Sequence, residues 1–275
     1  MSQGSEITAV PAFHGPGGTA GSTPETTSMG VLRAVSLCIH FGGVKAVDQV
    51  SFQVEAGCLF GVLGPNGSGK STLLAAITRL QRPTSGRIYL HGEDITKLPP
   101  NKLARRGVGR TFQTPRLVPT MDVKANVALA ADRRSRPLWD RPTKSGKGRV
   151  DDVHAAMTRA GIADAADLFP EEISYGNRRR VEIARALAHD PSLLLLDEPT
   201  AGMNRQERDE ISELLDSLRK QGLTQVLVEH DVPMMVELCD VILAMVQGQV
   251  VAVGNPKEVI ANETVRKAYL GRKRK

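Results

Sequence analysis

An apolar run, a glycine-rich turn and a helical pattern follow one another between residues 58 and 83, and few folds accept that junction. Cys58 to Leu63 ends in glycine and reads as a buried strand. From Lys70 the period changes: Leu73, Leu74, Ile77 and Leu80 recur at helical spacing until Pro83, near which the helix must stop. The turn, Gly64-Pro65-Asn66-Gly67-Ser68-Gly69-Lys70-Ser71, fits G-x-x-x-x-G-K-[ST] in the strand–turn–helix setting that pattern needs. Glycines let the backbone wrap so that its amides converge on phosphate groups, and the new helix points its positive end at them. Lys70 then neutralises the outer phosphates, Ser71 offers a hydroxyl to magnesium, and Thr72 completes the set of loop contacts.

A phosphate loop leaves kinases, GTPases and many ATPases open, so a second acidic site has to discriminate. Leu193-Leu194-Leu195-Leu196-Asp197-Glu198 supplies one. Four apolar residues suit a strand in the middle of a parallel sheet, whose end presents Asp197 to magnesium and leaves Glu198 to polarise an attacking water.

Around these motifs, Leu32 to Ile39 and Val50 to Val54 alternate like half-buried strands, and Val108 to Phe112 and Gln225 to Val228 read as further strands. Val241 to Val246 and Gln249 to Val253 flank Gln247-Gly248, a hairpin pattern. Asn255, Pro256 and Glu258 open the last helices. The expected fold is a mostly parallel α/β P-loop NTPase (RecA-like) core with an antiparallel β portion and an inserted α-helical subdomain. Its expected division is a disordered Ser/Thr/Gly/Pro-rich tail over 1–29, then one domain over 30–271. Within that domain the core occupies 30–113 and 178–255, the helical subdomain 114–177 and the C-terminal helices 256–271.

Composition narrows the setting. With 41% hydrophobic residues among 275, the chain can bury a substantial core, yet no apolar stretch approaches the roughly 18 residues that would span a bilayer. Three scattered cysteines, Cys38, Cys58 and Cys239, have no metal or disulfide spacing and fit buried thiols in a reducing cytosol. The net charge of +6 is concentrated in residues 132–149, with seven Lys or Arg against two Asp, and in Arg272 to Lys275. Neither segment interleaves basic residues with stacking aromatics, Trp139 aside, so no nucleic-acid partner is expected. Solvated surface and attraction to an anionic membrane both remain open for them.

Together these residues resemble the ATP-binding-cassette family over residues 31 to about 271. Ile173-Ser174-Tyr175-Gly176-Asn177-Arg178, leading into a helical run, is similar to the family's signature segment. There Ser174 and the amides around Gly176 lie at a helix N-terminus, an anion site that the family closes over the γ-phosphate held by a partner cassette. The resemblance thus implies a head-to-tail dimer. It also implies ATP and Mg2+ as ligands, hydrolysis to ADP and phosphate, a transmembrane permease partner and a place at the cytoplasmic face of the inner membrane. Gln113 resembles the loop glutamine that senses magnesium and water, His230 the switch histidine at the γ-phosphate, and Phe41 the aromatic that stacks on adenine.

Phe41-Gly42-Gly43-Val44, Gly109-Arg110-Thr111-Phe112-Gln113, Glu198-Pro199-Thr200-Ala201-Gly202-Met203-Asn204 and Ala268-Tyr269-Leu270-Gly271 are closest to the ATPase subunits of branched-chain amino acid importers. None of these segments contacts an amino acid, so transport of urea, an amide or a lipid, and a soluble non-transport ATPase, stay as alternatives. Asn177 stands where the family usually has Gln. A shorter amide there weakens the contact made to the partner's nucleotide, which is easier to tolerate in a heterodimer.

Overall fold

The computed structural model describes residues 30–112, 115–131 and 147–270. The expected tail over 1–29, most of the basic segment 132–149, Arg272 to Lys275 and Gln113 lie outside the described residues.

Two sheets form around the strands anticipated from alternation. β1 (Leu32–Phe41) pairs antiparallel with β2 (Val44–Val54) and with β4 (Ser85–Leu90), and short β5 (Glu93–Asp94) completes the four-stranded sheet in the order β2-β1-β4-β5. β2 begins at Val44 rather than Val50, because the Gly42-Gly43 turn folds it directly back onto β1, with Phe41 opposite Val44. The second sheet has six strands in the order β10-β9-β3-β8-β7-β6. There β6 (Val108–Arg110), β7 (Leu193–Asp197), β8 (Thr224–Glu229), β3 (Leu59–Leu63) and β9 (Val241–Val246) run parallel to their neighbours. β10 (Gln249–Gly254) turns back from β9 through Gln247-Gly248, both at positive φ, as the expected hairpin requires.

The run of four leucines explains the layering. In an extended strand alternate side chains point to opposite faces, and Leu194 and Leu196 enter one apolar cluster while Leu193 and Leu195 enter another. The first cluster packs the helices of one side, including α3 (Val123–Ala130), α4 (Lys147–Arg159), α5 (Tyr175–Leu187) and α6 (Arg205–Lys220). The second packs α1 (Lys70–Ile77) and the antiparallel sheet. All four leucines are fully buried, each contributing roughly 1.5–3 kcal/mol of apolar transfer.

α1 stops at Ile77, well before Pro83. The Thr78 hydroxyl donates back to the Leu74 carbonyl at 2.9 Å, and Arg79 takes a left-handed φ of 62°, so Leu80 leaves the helix and is 58% exposed. Helix α2 (Pro100–Ala104) packs beside β6, and α7 (Val232–Leu238) packs on β3. α8 (Pro256–Ala261), capped by the Asn255 side chain, and α9 (Glu263–Leu270) close the described chain. α5 packs on α3, α4, α6 and β6. Among the described residues no helix is long and apolar enough to cross a membrane.

Candidate active site

Because β3, β8, β7 and β6 are parallel neighbours, the segments that follow them emerge along one edge of the sheet, where α/β folds place ligands. Those segments are the turn after Leu63, His230 after Glu229, Glu198 after Asp197, and Thr111-Phe112 after Arg110.

Gly67 and Gly69 hold φ of 80° and 103°, and Gly69 caps α1 from the left-handed region. A Cβ on Gly69 would overlap the Ala46 carbonyl oxygen, and one on Gly64 would overlap the Met245 carbonyl and the Ser68 hydroxyl. Gly67 faces open space, with nothing within 4 Å of its would-be Cβ. The turn is thus clamped from behind by β2 and β9 and open in front. Ser68 is locked beneath it, since its carbonyl accepts from Gly248 N at 3.0 Å. Lys70 is 5% exposed and donates to the Gly64 and Pro65 carbonyls at 2.7 and 3.2 Å. Burial pushes its ammonium below the ordinary lysine range, and Glu198, Asp197 and Glu229 pull it back up. Ser71, in the first turn of α1, is exposed.

Asp197 ends β7 at 8% exposure, with Arg110 Nη2 at 3.7 Å from Oδ2. Burial holds its carboxyl above the usual range against the pull of Arg110 and Lys70. A raised folded-state value means the protonated form stabilises the fold, and that stability is lost as pH rises through it. Asp197→Asn should therefore melt higher than the natural chain at pH 7 without nucleotide, on the order of a few degrees. The gap should close as pH falls toward the ordinary Asp value of 3.8. Thermal melts at both pH values check this; a lower melting point for the variant at pH 7 would mean that Arg110 and Lys70 outweigh burial.

Glu198 follows at φ 44°, a conformation costing a residue with a side chain about 1–3 kcal/mol. Its amide donates to the Val228 carbonyl at 2.9 Å, anchoring the strained turn to β8. His230 Nδ1 lies 4.0 Å from Glu198 Oε1 and 3.6 Å from Glu229 Oε2. Glu229 is 1% exposed and accepts from Thr200 N at 3.0 Å and Thr200 Oγ1 at 2.6 Å, tying the segment after Glu198 to the one bearing His230. Lys70, Asp197 with Glu198, and His230, from three segments far apart in sequence, therefore meet at one place.

Phe41 ends β1 with its ring 49% exposed, on the same hairpin whose Ala46 carbonyl backs Gly69. Ser174 and Gly176 are elsewhere, at the start of α5. Ser174 is the cap, its Oγ accepting from Asn177 N at 3.1 Å, whereas the Gly176 amide donates to Glu207 Oε1 at 3.2 Å. The helix start expected to offer amides to an anion thus already has one of them engaged by a carboxylate. Glu207 in turn caps α6, accepting from Asn204 N at 3.1 Å.

Three residues at this edge escape motif reading: Arg110, Glu229 and Arg179. Arg179 is fully buried, and Nε donates to the Pro199 carbonyl at 2.9 Å. Inside Arg178-Arg179-Arg180 it reads as surface charge. The available signal is its phase, because Ile183 and Ala186 follow at i+4 and i+7 on the inward face.

The ABC transporter family profile matches residues 47–201, and that of the branched-chain amino acid ATP-binding cassette transporter matches residues 249–274. The chain is 36% identical over 249 residues to the high-affinity branched-chain amino acid transport ATP-binding protein BraF of Pseudomonas aeruginosa, covering 88% of this chain and 98% of that one. The fold is similar to the ADP conformation of MJ1267, an ATP-binding cassette of an ABC transporter, with TM-score 0.80 and 30% identity over 89% of this chain and 100% of the other. It is also similar to the dimeric structure of MJ0796, a bacterial ABC transporter cassette, with TM-score 0.69 and 27% identity over 82% and 98%.

Proposed function

This chain belongs to the ATP-binding subunits of ABC transporters, and we propose that the transporter it powers imports branched-chain or other hydrophobic amino acids. The observation that carries the choice of solute is the match of residues 249–274 to the branched-chain amino acid cassettes, a segment spanning β10, α8 and α9.

In this reading the loop from Gly64 to Gly69, through the N–H groups of its residues other than Pro65, and Lys70, Ser71 and Thr72 hold the ATP phosphates, and the exposed ring of Phe41 stacks on adenine. Glu198 takes the proton of the attacking water, its carboxylate presented by the strained turn, and His230 orients the γ-phosphate beside it. Ser71 and Asp197 are a hard-oxygen donor set of the kind magnesium selects, with Gln113 as a third candidate. Magnesium, when bound there, offsets phosphate charge. The left-handed glycines, the open space before Gly67 and the positive charge of the buried Lys70 support the phosphates, and the carboxylate of Asp197 beside them supports magnesium.

ABC cassettes act as dimers with permease subunits, and in this reading Ser174 and Gly176, at the start of α5, serve the nucleotide of the partner cassette. Asn177 favours a non-identical partner cassette. A cleft of about 430 Å³ beside exposed Phe112 and Leu80, lined also by Leu103, Arg116 and Glu182, suits a permease segment. The chain would then sit at the cytoplasmic face of the membrane.

Deleting the gene and restoring it as the natural chain or as Lys70→Ala tests the reading. Uptake of labelled leucine, isoleucine and valine should be lost and return only with the natural chain, which should co-purify with a permease and a different cassette. Unimpaired uptake of all three would transfer the assignment to urea, an amide or a lipid. Co-purification with copies of itself alone would remove the heterodimer.

A further inference from the structure

We propose that Arg179 is a positioning residue: it fixes the backbone that carries Glu198 and couples that carboxylate to the helix whose opening turn serves the partner's nucleotide. The inference rests on Glu198 acting as the base.

Arg179 lies in the second turn of α5 and is fully buried. A buried guanidinium is tolerated only when its charge and donors are met. Glu182, three residues on and 5% exposed, meets the charge through Oε2 at 2.7 Å from Nη1. Other donors go to backbone carbonyls of two other segments: Nε to Pro199 at 2.9 Å, Nη2 to Glu198 at 3.3 Å, and Nη1 to Phe112. Only a planar fork with several fixed N–H groups reaches all of them from one side chain.

What the fork holds is a residue in a conformation that side chains rarely adopt. Glu198 sits at φ 44°, and its carbonyl accepts from Arg179 and from Ala201 N at 3.2 Å, so its direction, and with it that of the carboxylate, is set by α5. A second fastening runs in parallel, from Gly176 N in the first turn of α5 to Glu207, which caps α6 just beyond the same segment. The first two turns of α5 and residues 198–207 therefore move as one body. When the α5 N-terminus meets the nucleotide of the other cassette, the shift reaches Glu198 of this chain's own site, which makes each site's turnover depend on occupancy of the other.

The test uses the full-length chain in its assembled complex. Arg179→Lys keeps the charge facing Glu182 and loses the fork. It should lower kcat roughly 10–100-fold, the scale of a misplacement of about 1 Å, leave ATP affinity within about threefold, and bring the Hill coefficient for ATP down toward one. In single-turnover assays on a Glu198→Gln background it should add no further loss, because it acts through Glu198. Should Arg179→Lys not fold, the neutral pair Arg179→Gln with Glu182→Gln carries the same expectations. Natural kcat and Hill coefficient in a folded variant, a loss confined to ATP affinity, or a loss that multiplies with Glu198→Gln would each overturn the proposal. Full turnover by Glu198→Gln itself would remove the base assignment and this coupling with it. An inactive Glu198→Gln beside fully active Arg179 variants would remove the coupling alone.

Discussion

Glu198→Gln should bind ATP like the natural chain and hydrolyse it about 10²–10⁴-fold more slowly, the usual worth of a positioned general base. Glutamine has the same length and can still contact water, but it has no basicity with which to take a proton. The fold has little reason to change. Gln tolerates the positive φ no worse than Glu does, the Glu198 amide keeps its bond to Val228, and the carbonyl keeps Arg179. Lys70 loses one of three carboxylates that favour its charge and retains Asp197 and Glu229. The measurement is steady-state phosphate release beside equilibrium binding of a fluorescent ATP analogue. Undiminished release would transfer water activation to another group, and lost binding would show that the carboxylate holds the loop.

Gly69→Ala should weaken ATP binding by about 100-fold or more, and more than Gly67→Ala does. Both glycines sit at positive φ, where a side chain costs about 1–3 kcal/mol. Only Gly69 adds a collision, with the backbone carbonyl oxygen of Ala46 in β2. The loop must then shift, and each 1.4 kcal/mol of misfit is about tenfold in affinity. A Cβ on Gly67 meets open space, so about tenfold is expected there from strain alone. Equal losses in the two variants would mean that crowding behind the loop does not matter.

The elements that the sequence predicted well are those whose signals are local. A strand of four leucines is apolar enough to be central, and Asn255 with Pro256 caps its helix as written, because capping involves neighbours in the chain. The end of α1 was less legible. Leu80 keeps the helical apolar phase, yet Thr78 bonds back and Arg79 turns left-handed, an outcome of packing that overrides periodicity. β4 and α2 carry no motif and appear only once the chain is folded, whereas α6 does carry a local signal, a capping box from Asn204 to Glu207 ahead of Ile211, Leu214, Leu215 and Leu218.

By itself the sequence determined the chemistry, because a glycine turn before a lysine and a pair of acids after an apolar strand are contiguous patterns whose spacing is their meaning. It also determined which strand ends bear them. The tertiary structure alone decided that these ends share one edge, that burial raises Asp197 and lowers Lys70, and that the Gly176 amide already answers to Glu207. It alone decided, too, that the middle arginine of three points inward to hold Glu198. The reason is physical: burial, dielectric and long-range hydrogen bonds belong to pairs of residues from separate segments, and a one-dimensional pattern contains no term for them.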